Sequence, residues 1–91
     1  MNKGELIDAI AEQTGKTKKD IEIVLSATFD CIQEAVASDD KVTIVGFGSF
    51  EARDRQAREG RNPRTGEKMD IPAIRVPAFS AGKMFKEKVA A

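Results

Sequence analysis

Apolar residues recur at helical spacing through the first forty positions and switch to a strand-like pattern after Lys41. Leu6, Ile7, Ile10 and Ala11 share one helical face, with Asn2 and Glu5 before them and Gly15 after. Asn and Glu at that spacing can each satisfy the other's backbone N–H, and Gly readily takes the left-handed conformation that ends helices. The pattern therefore predicts a helix over Lys3 to Thr14. Thr17 and Asp20 repeat the starting device with a weaker acid and open a longer stripe: Ile21, Val24, Leu25, Thr28, Phe29, Ile32 and Val36. Ser38-Asp39-Asp40 closes this second helix. Cys31 falls at the edge of the stripe, where a thiol is expected to pack as a small hydrophobe rather than serve redox chemistry.

From Lys41 the β-branched run Val42-Thr43-Ile44-Val45 meets Gly46-Phe47-Gly48 and resumes at Ser49-Phe50-Glu51, which reads as a hairpin. Arg53 to Lys68 then holds almost no large apolar residue, although Phe50 precedes it and Ile71, Ile74 and Val76 follow. Such a segment cannot be buried. Asn62-Pro63-Arg64-Thr65-Gly66 at its centre is turn chemistry, because Pro fixes one backbone angle and Gly permits a positive one. The simplest geometry is a long hairpin over residues 51–76 that projects into solvent. Pro72 and Pro77 lack ladder donors and suit an edge strand. Ser80 offers a cap for a short last helix from about Ala81 to Val89, with Met84, Phe85 and Val89 inward and Lys83 and Lys86 outward. The fold class is α+β: two helices, a three-stranded antiparallel sheet with a protruding arm, and a short C-terminal helix. Residues 1–40 form a helical base, 41–80 the sheet with its arm, and 81–91 the last helix, all in one domain.

Length and composition add an energetic constraint. With residues 51–76 outside any core, 65 of the 91 residues remain to build one, which is marginal for a free-standing fold. Four of the five phenylalanines, Phe47, Phe50, Phe79 and Phe85, flank the arm and need more cover than so small a body provides. A two-fold partner would bury them, so a homodimer is expected.

Charge sharpens the picture further. The net charge is zero, but residues 1–40 carry four Lys against nine acids, a net of −5, and residues 41–91 carry eleven basic residues against six acids, a net of +5. An anionic partner belongs with the second half. Between Arg53 and Arg75 lie seven cations, Arg53, Arg55, Arg58, Arg61, Arg64, Lys68 and Arg75, against Asp54, Glu59, Glu67 and Asp70. A solvated edge could be kept soluble by charge alone. Lysine would serve that end equally, whereas six Arg to one Lys suits phosphate and narrow minor-groove recognition by a planar guanidinium. Charge by itself leaves RNA open beside double-stranded DNA.

Other chemistries fall away. With no His and one Cys, neither a common metal constellation nor a catalytic one can be assembled, so no cofactor, small-molecule substrate or enzymatic activity is expected. Gly15-Lys16-Thr17 lacks the earlier Gly of a phosphate-binding loop, since position 10 is Ile. A helix-turn-helix reading of residues 3–38 would push Asp20, Glu22, Asp30 and Glu34 toward phosphates. No apolar run reaches the roughly 20 residues of a membrane span, and the start lacks a signal region, so the cytoplasm is the expected location.

The run Gly46-Phe47-Gly48-Ser49-Phe50, then Arg55, Arg58, Gly60, Asn62-Pro63 and Thr65, and later Val76-Pro77-Ala78-Phe79, resembles the signature of the bacterial HU and integration host factor family of DNA-bending proteins. The similarity extends over essentially the whole chain, including Met1-Asn2-Lys3. It implies an intertwined homodimer whose arms wrap the minor groove of duplex DNA and insert Pro63 between base steps; Arg-rich arms without a base-reading helix are in addition expected to favour bent or nicked sites, where a duplex already deformed lowers the bending cost. By position, groove and phosphate contacts fall on Arg53, Arg55, Arg58, Arg61, Asn62, Arg64 and Arg75 of the arm and on Lys3, Lys83 and Lys86 of the body. It also implies residence in a bacterial nucleoid, or in a plastid nucleoid descended from one. The neutral net charge departs from the basic character typical of HU proteins, and Cys31 matches no family feature.

Overall fold

A computed structural model describes all of Met1–Ala91, in two units, Met1–Glu34 and Ala35–Ala91. In the first, helix α1 (Lys3–Thr14) starts on a complete capping box: Asn2 Oδ1 accepts from the Glu5 N–H at 2.9 Å, and the Asn2 N–H donates to Glu5 Oε1 at 3.3 Å. Gly15, at φ 71°, ends it by donating to the Ala11 carbonyl at 2.9 Å, which an L side chain would oppose. Helix α2 (Lys18–Ala37) starts where Thr17 Oγ1 accepts from the Asp20 N–H at 3.2 Å. Both helices match the sequence expectation to within a residue or two.

The end of α2, already in the second unit, is a six-residue closing motif. The Asp39 N–H donates to the Val36 carbonyl at 3.1 Å and the Asp40 N–H to the Ala35 carbonyl at 2.8 Å, with Asp39 left-handed at φ 64° where Gly is usual. Strands β1 (Val42–Ile44) and β2 (Gly48–Arg55) follow, joined by a tight turn with Gly46 at φ 82° and the Phe47 N–H donating to the Ile44 carbonyl at 3.0 Å. The chain then forms β3 (Arg58–Arg61), β4 (Lys68–Ile71), β5 (Ile74–Ala81) and helix α3 (Lys83–Ala90).

The strands make a three-stranded antiparallel sheet in the order β1-β2-β5 and a separate two-stranded sheet of β3 and β4. Strand β5 is an edge strand, which accommodates Pro77 as expected. The arm is interrupted: Gln56-Ala57 on one side and Pro72-Ala73 on the other leave the ladder together. Register is kept through the break, from Arg55 opposite Ile74 to Arg58 opposite Ile71, because each strand loses two residues. Pro72 supplies the physical cause, having no N–H to donate.

Burial is sparse. Only Ile7, Ile21 and Val36 are buried hydrophobic residues, and no side chain is fully enclosed. Phe47, Phe50, Phe79 and Phe85 form one aromatic cluster, with centroids 4.8 Å apart for Phe50 and Phe79 and 5.3 Å for Phe47 and Phe79. Yet Phe47 and Phe79 keep 42% and 41% of their surface exposed.

Three expectations are corrected. Ser80 does not cap α3: it lies within β5, and Gly82 occupies the cap position without any side-chain hydrogen bond. Met84 and Val89 are exposed rather than inward, leaving Phe85 as the half-buried residue of α3. Cys31 is exposed on α2, not packed, because the stripe it borders is itself largely uncovered in a single chain, with Val24 and Phe29 exposed too.

Candidate nucleic-acid interface

Alternation along the strands divides the three-stranded sheet into two chemically distinct faces. Val42, Ile44, Phe50, Ala52, Pro77 and Phe79 share the aromatic face, as the pairs Val42↔Phe50, Phe50↔Phe79 and Ala52↔Pro77 require. The opposite face carries Thr43, Ser49, Glu51, Arg53 and Arg55, with Ser80 and Ala78 across from them. Arg53 is held there: its Nε donates to Glu51 Oε1 at 3.0 Å and its Nη2 to Ser80 Oγ at 2.9 Å. Sequence reasoning assigned Ser80 to a cap and missed this support, which becomes visible only once the β2–β5 register is known.

Arg75 is turned the other way. Its partner across the ladder is Asp54, so both stand on the aromatic face, away from Arg53 and Arg55. Its guanidinium pairs with the Asp39 carboxylate, donates to the Ala37 carbonyl at 3.2 Å and lies 3.9 Å from Asp54 Oδ1.

Beyond the break, Arg58, Arg61, Arg64 and Lys68 have no acidic partner, nor does Arg55 before it. Arg61 stands opposite Lys68 and Glu59 opposite Asp70, so like charges meet directly across the ladder and raise the energy of the free arm. Within the arm, Ile71 lies over Gly60 with Met69 beside it. A Cβ at Gly60 would be 2.9 Å from Ile71 Cδ1, so the glycine provides the space.

The tip is ordered by its own backbone. Asn62 Oδ1 accepts from the Arg64 N–H at 2.9 Å, the Asn62 N–H donates to the Glu67 carbonyl at 2.9 Å, and the Gly66 N–H donates to the Asn62 carbonyl at 2.7 Å with Gly66 at φ 71°. Asn62 thus has a structural role in addition to its place in the candidate set. Pro63, exposed, sits at the outermost turn between Arg61 and Arg64.

On the body, Lys3 Nζ donates to Ser26 Oγ at 2.8 Å and has no carboxylate partner. Lys83 makes a loose contact with Glu87 at 3.9 Å, and Lys86 makes none. Both belong to α3, whose first N–H groups no side chain caps, an arrangement that favours a nearby anion. The Gly82 N–H donates instead to the Phe47 carbonyl at 2.8 Å, and a Cβ at Gly82 would lie 3.3 Å from that same group. No cluster of metal-ligating side chains exists, and no helix is long and apolar enough to cross a membrane.

A cationic two-stranded arm tipped by proline and held in register with a three-stranded sheet across a matched break, in a chain that opens with two capped helices, defines a DNA-binding protein of the β-arm class. The family model described as bacterial DNA-binding protein matches residues 1–90, and the chain belongs to that family. A DNA-binding protein HU from Nostoc sp. is 69% identical over 90 residues, covering 99% of this chain and 96% of the relative. The HU protein of Geobacillus stearothermophilus is 56% identical over 89 residues, covering 98% and 99%. Among solved structures, an Anabaena HU–DNA cocrystal structure aligns with a TM-score of 0.93 at 69% identity, covering 99% of this chain and 98% of that one. HU from Thermotoga maritima aligns with a TM-score of 0.70 at 39% identity, covering 98% of each. The resemblance carried by Gly46 to Phe50 and by the Asn62-Pro63 turn is borne out, and the family is one of DNA-binding proteins, not of enzymes.

Proposed function

We propose that the chain acts as a homodimer that binds and bends double-stranded DNA without reading its sequence, organising DNA in a bacterial nucleoid. The observation that carries this reading is the arm: Arg55, Arg58, Arg61, Arg64 and Lys68 stand free of acidic partners on a hairpin whose turn exposes Pro63. Guanidinium groups follow phosphates and narrow minor grooves, and architectural proteins, HU among them, insert apolar wedges between base steps. The 69% identity to Anabaena HU, solved with DNA, supports the same assignment.

The half-exposed Phe47–Phe79 cluster and the scarcity of buried side chains support the dimer. Covering the exposed two-fifths of Phe47 and Phe79 contributes about 1 kcal/mol each, and the single chain leaves that contribution unused. Arg53, Arg55, Arg58, Arg61, Asn62 and Arg64 follow the groove, while Lys3, Lys83 and Lys86 meet phosphates on the body. Duplexes already nicked or distorted are preferred, because part of the bending cost is absent.

The test is a fluorescence-transfer bending assay on end-labelled duplex, with wild type and Pro63→Ala. Retained binding with reduced bending is expected. Unchanged bending would remove the wedge, and equal affinity for nicked and intact duplex at moderate salt would remove the preference for distorted sites.

A further inference from the structure

We infer that Arg75 is a positioning residue, which clamps the root of the arm to the end of α2 and does not itself contact DNA. The inference rests on the DNA-binding reading above only for its functional consequence; the clamp itself is a property of the free protein. Arg75 stands on the face opposite Arg53 and Arg55. Its guanidinium is occupied by the Asp39 carboxylate and the Ala37 carbonyl, with Asp54 at 3.9 Å. One cation between two carboxylates has no surplus charge to offer a phosphate, which would arrive there as a third anion.

The partners are what the end of a helix demands. Ala37 belongs to the last turn, where carbonyls lack intrahelical donors and a cation is favoured by the helix dipole. Asp39 holds the left-handed position at φ 64° that Gly fills more easily, at a cost of roughly 1 kcal/mol. Its carboxylate gives a reason for Asp to stand there.

The clamp is also well placed along the arm. Arg75 and Asp54 are the last full rung but one of the β2–β5 ladder, which ends at Arg55 and Ile74 just before the double interruption. Arg75 therefore fixes the strand where the rigid sheet stops and the joint begins, and so sets the direction in which the outer arm departs.

Arg75→Ala, Arg75→Lys and Asp39→Asn, made in the full chain, test this, since Asn also tolerates the left-handed position and leaves the backbone unstrained. Without DNA, amide hydrogen exchange at residues 53–55 and 74–76 should rise on the order of tenfold in all three variants, because Lys cannot reproduce the forked contact. With DNA, the slope of log affinity against log salt should stay at the wild-type value while the distribution of bend angles broadens. Unchanged exchange in all three variants overturns the clamp. A slope reduced by roughly 1.8 per dimer in Arg75→Ala, together with tighter binding by Asp39→Asn, overturns it in favour of a direct phosphate contact. A wild-type protein that fails to bind duplex would sink the functional reading, yet the exchange measurement would still decide the clamp.

Discussion

Gly48 lies directly against Phe79: a Cβ at Gly48 would stand 2.6 Å from Phe79 Cζ and 2.5 Å from the Ser80 carbonyl oxygen. The ring can shift, but the backbone oxygen is part of the β2–β5 ladder and cannot move without opening it. Gly48→Ala should therefore destabilise the protein by about 3 kcal/mol, toward the upper end for overpacking, and lower the midpoint of urea unfolding. A midpoint equal to that of wild type would mean that the two strands are farther apart in solution.

Thermal stability should depend on protein concentration. The exposed parts of Phe47 and Phe79 find cover only in a partner, so the melting temperature should rise with total protein and dimer should dominate sedimentation at micromolar concentration. Phe79→Ala should shift the population toward monomer. A concentration-independent melting temperature would contradict the dimer.

Salt dependence should count the arm's phosphate contacts. Replacing Arg55, Arg58 and Arg61 together by Ala removes three unpaired cations per chain, and the log affinity against log salt slope should fall by roughly 5 for a dimer. Circular dichroism should stay at the wild-type level, since none of the three pairs with an acid. An unaltered slope would assign the binding to another surface.

Glu59 faces Asp70 across the arm, so Glu59→Gln should relieve repulsion within the hairpin and also remove an anion from the cationic arm. Affinity for duplex should increase a few-fold at low salt, with the gain shrinking as salt rises. A loss of affinity in gel shifts would show that Glu59 supports the arm.

At the opposite end of the chain, Asn2→Ala should cost about 1 kcal/mol by deleting the accepting half of the α1 capping box. The expected readout is a lower unfolding midpoint without change in the salt slope, and a change in slope would link this cap to the DNA contacts.

The parts that were legible in the sequence are those governed by neighbours in the chain. Asn2, Glu5 and Gly15 define α1 through bonds no longer than four residues, and the absence of apolar residues from Arg53 to Lys68 announces an arm whatever its partners. Features set by cross-strand register were not. Ser80 sits where a cap could be, but its pairing with Ser49 makes it strand and its hydroxyl serves Arg53. Arg75 counts as one more arm cation until the Asp54 pairing fixes its face. Pro72, like Pro77, suits an edge strand by sequence but stands in a break of the ladder, and the matching break at Gln56-Ala57 has no signal of its own. Cys31 illustrates a different limit, since helical periodicity identifies a stripe without saying whether this chain or another covers it.

The matched interruption also constrains how an arm of this kind can change in length. Both strands give up two residues, so Arg61 still meets Lys68 and the tip stays in step with the sheet. An insertion of one residue in a single strand would slip every rung beyond it and carry the basic side chains to the wrong side. Lengthening or shortening must therefore come as compensated changes on both strands, and a lone insertion between Arg55 and Arg58 should be far more damaging than a substitution at any one residue there.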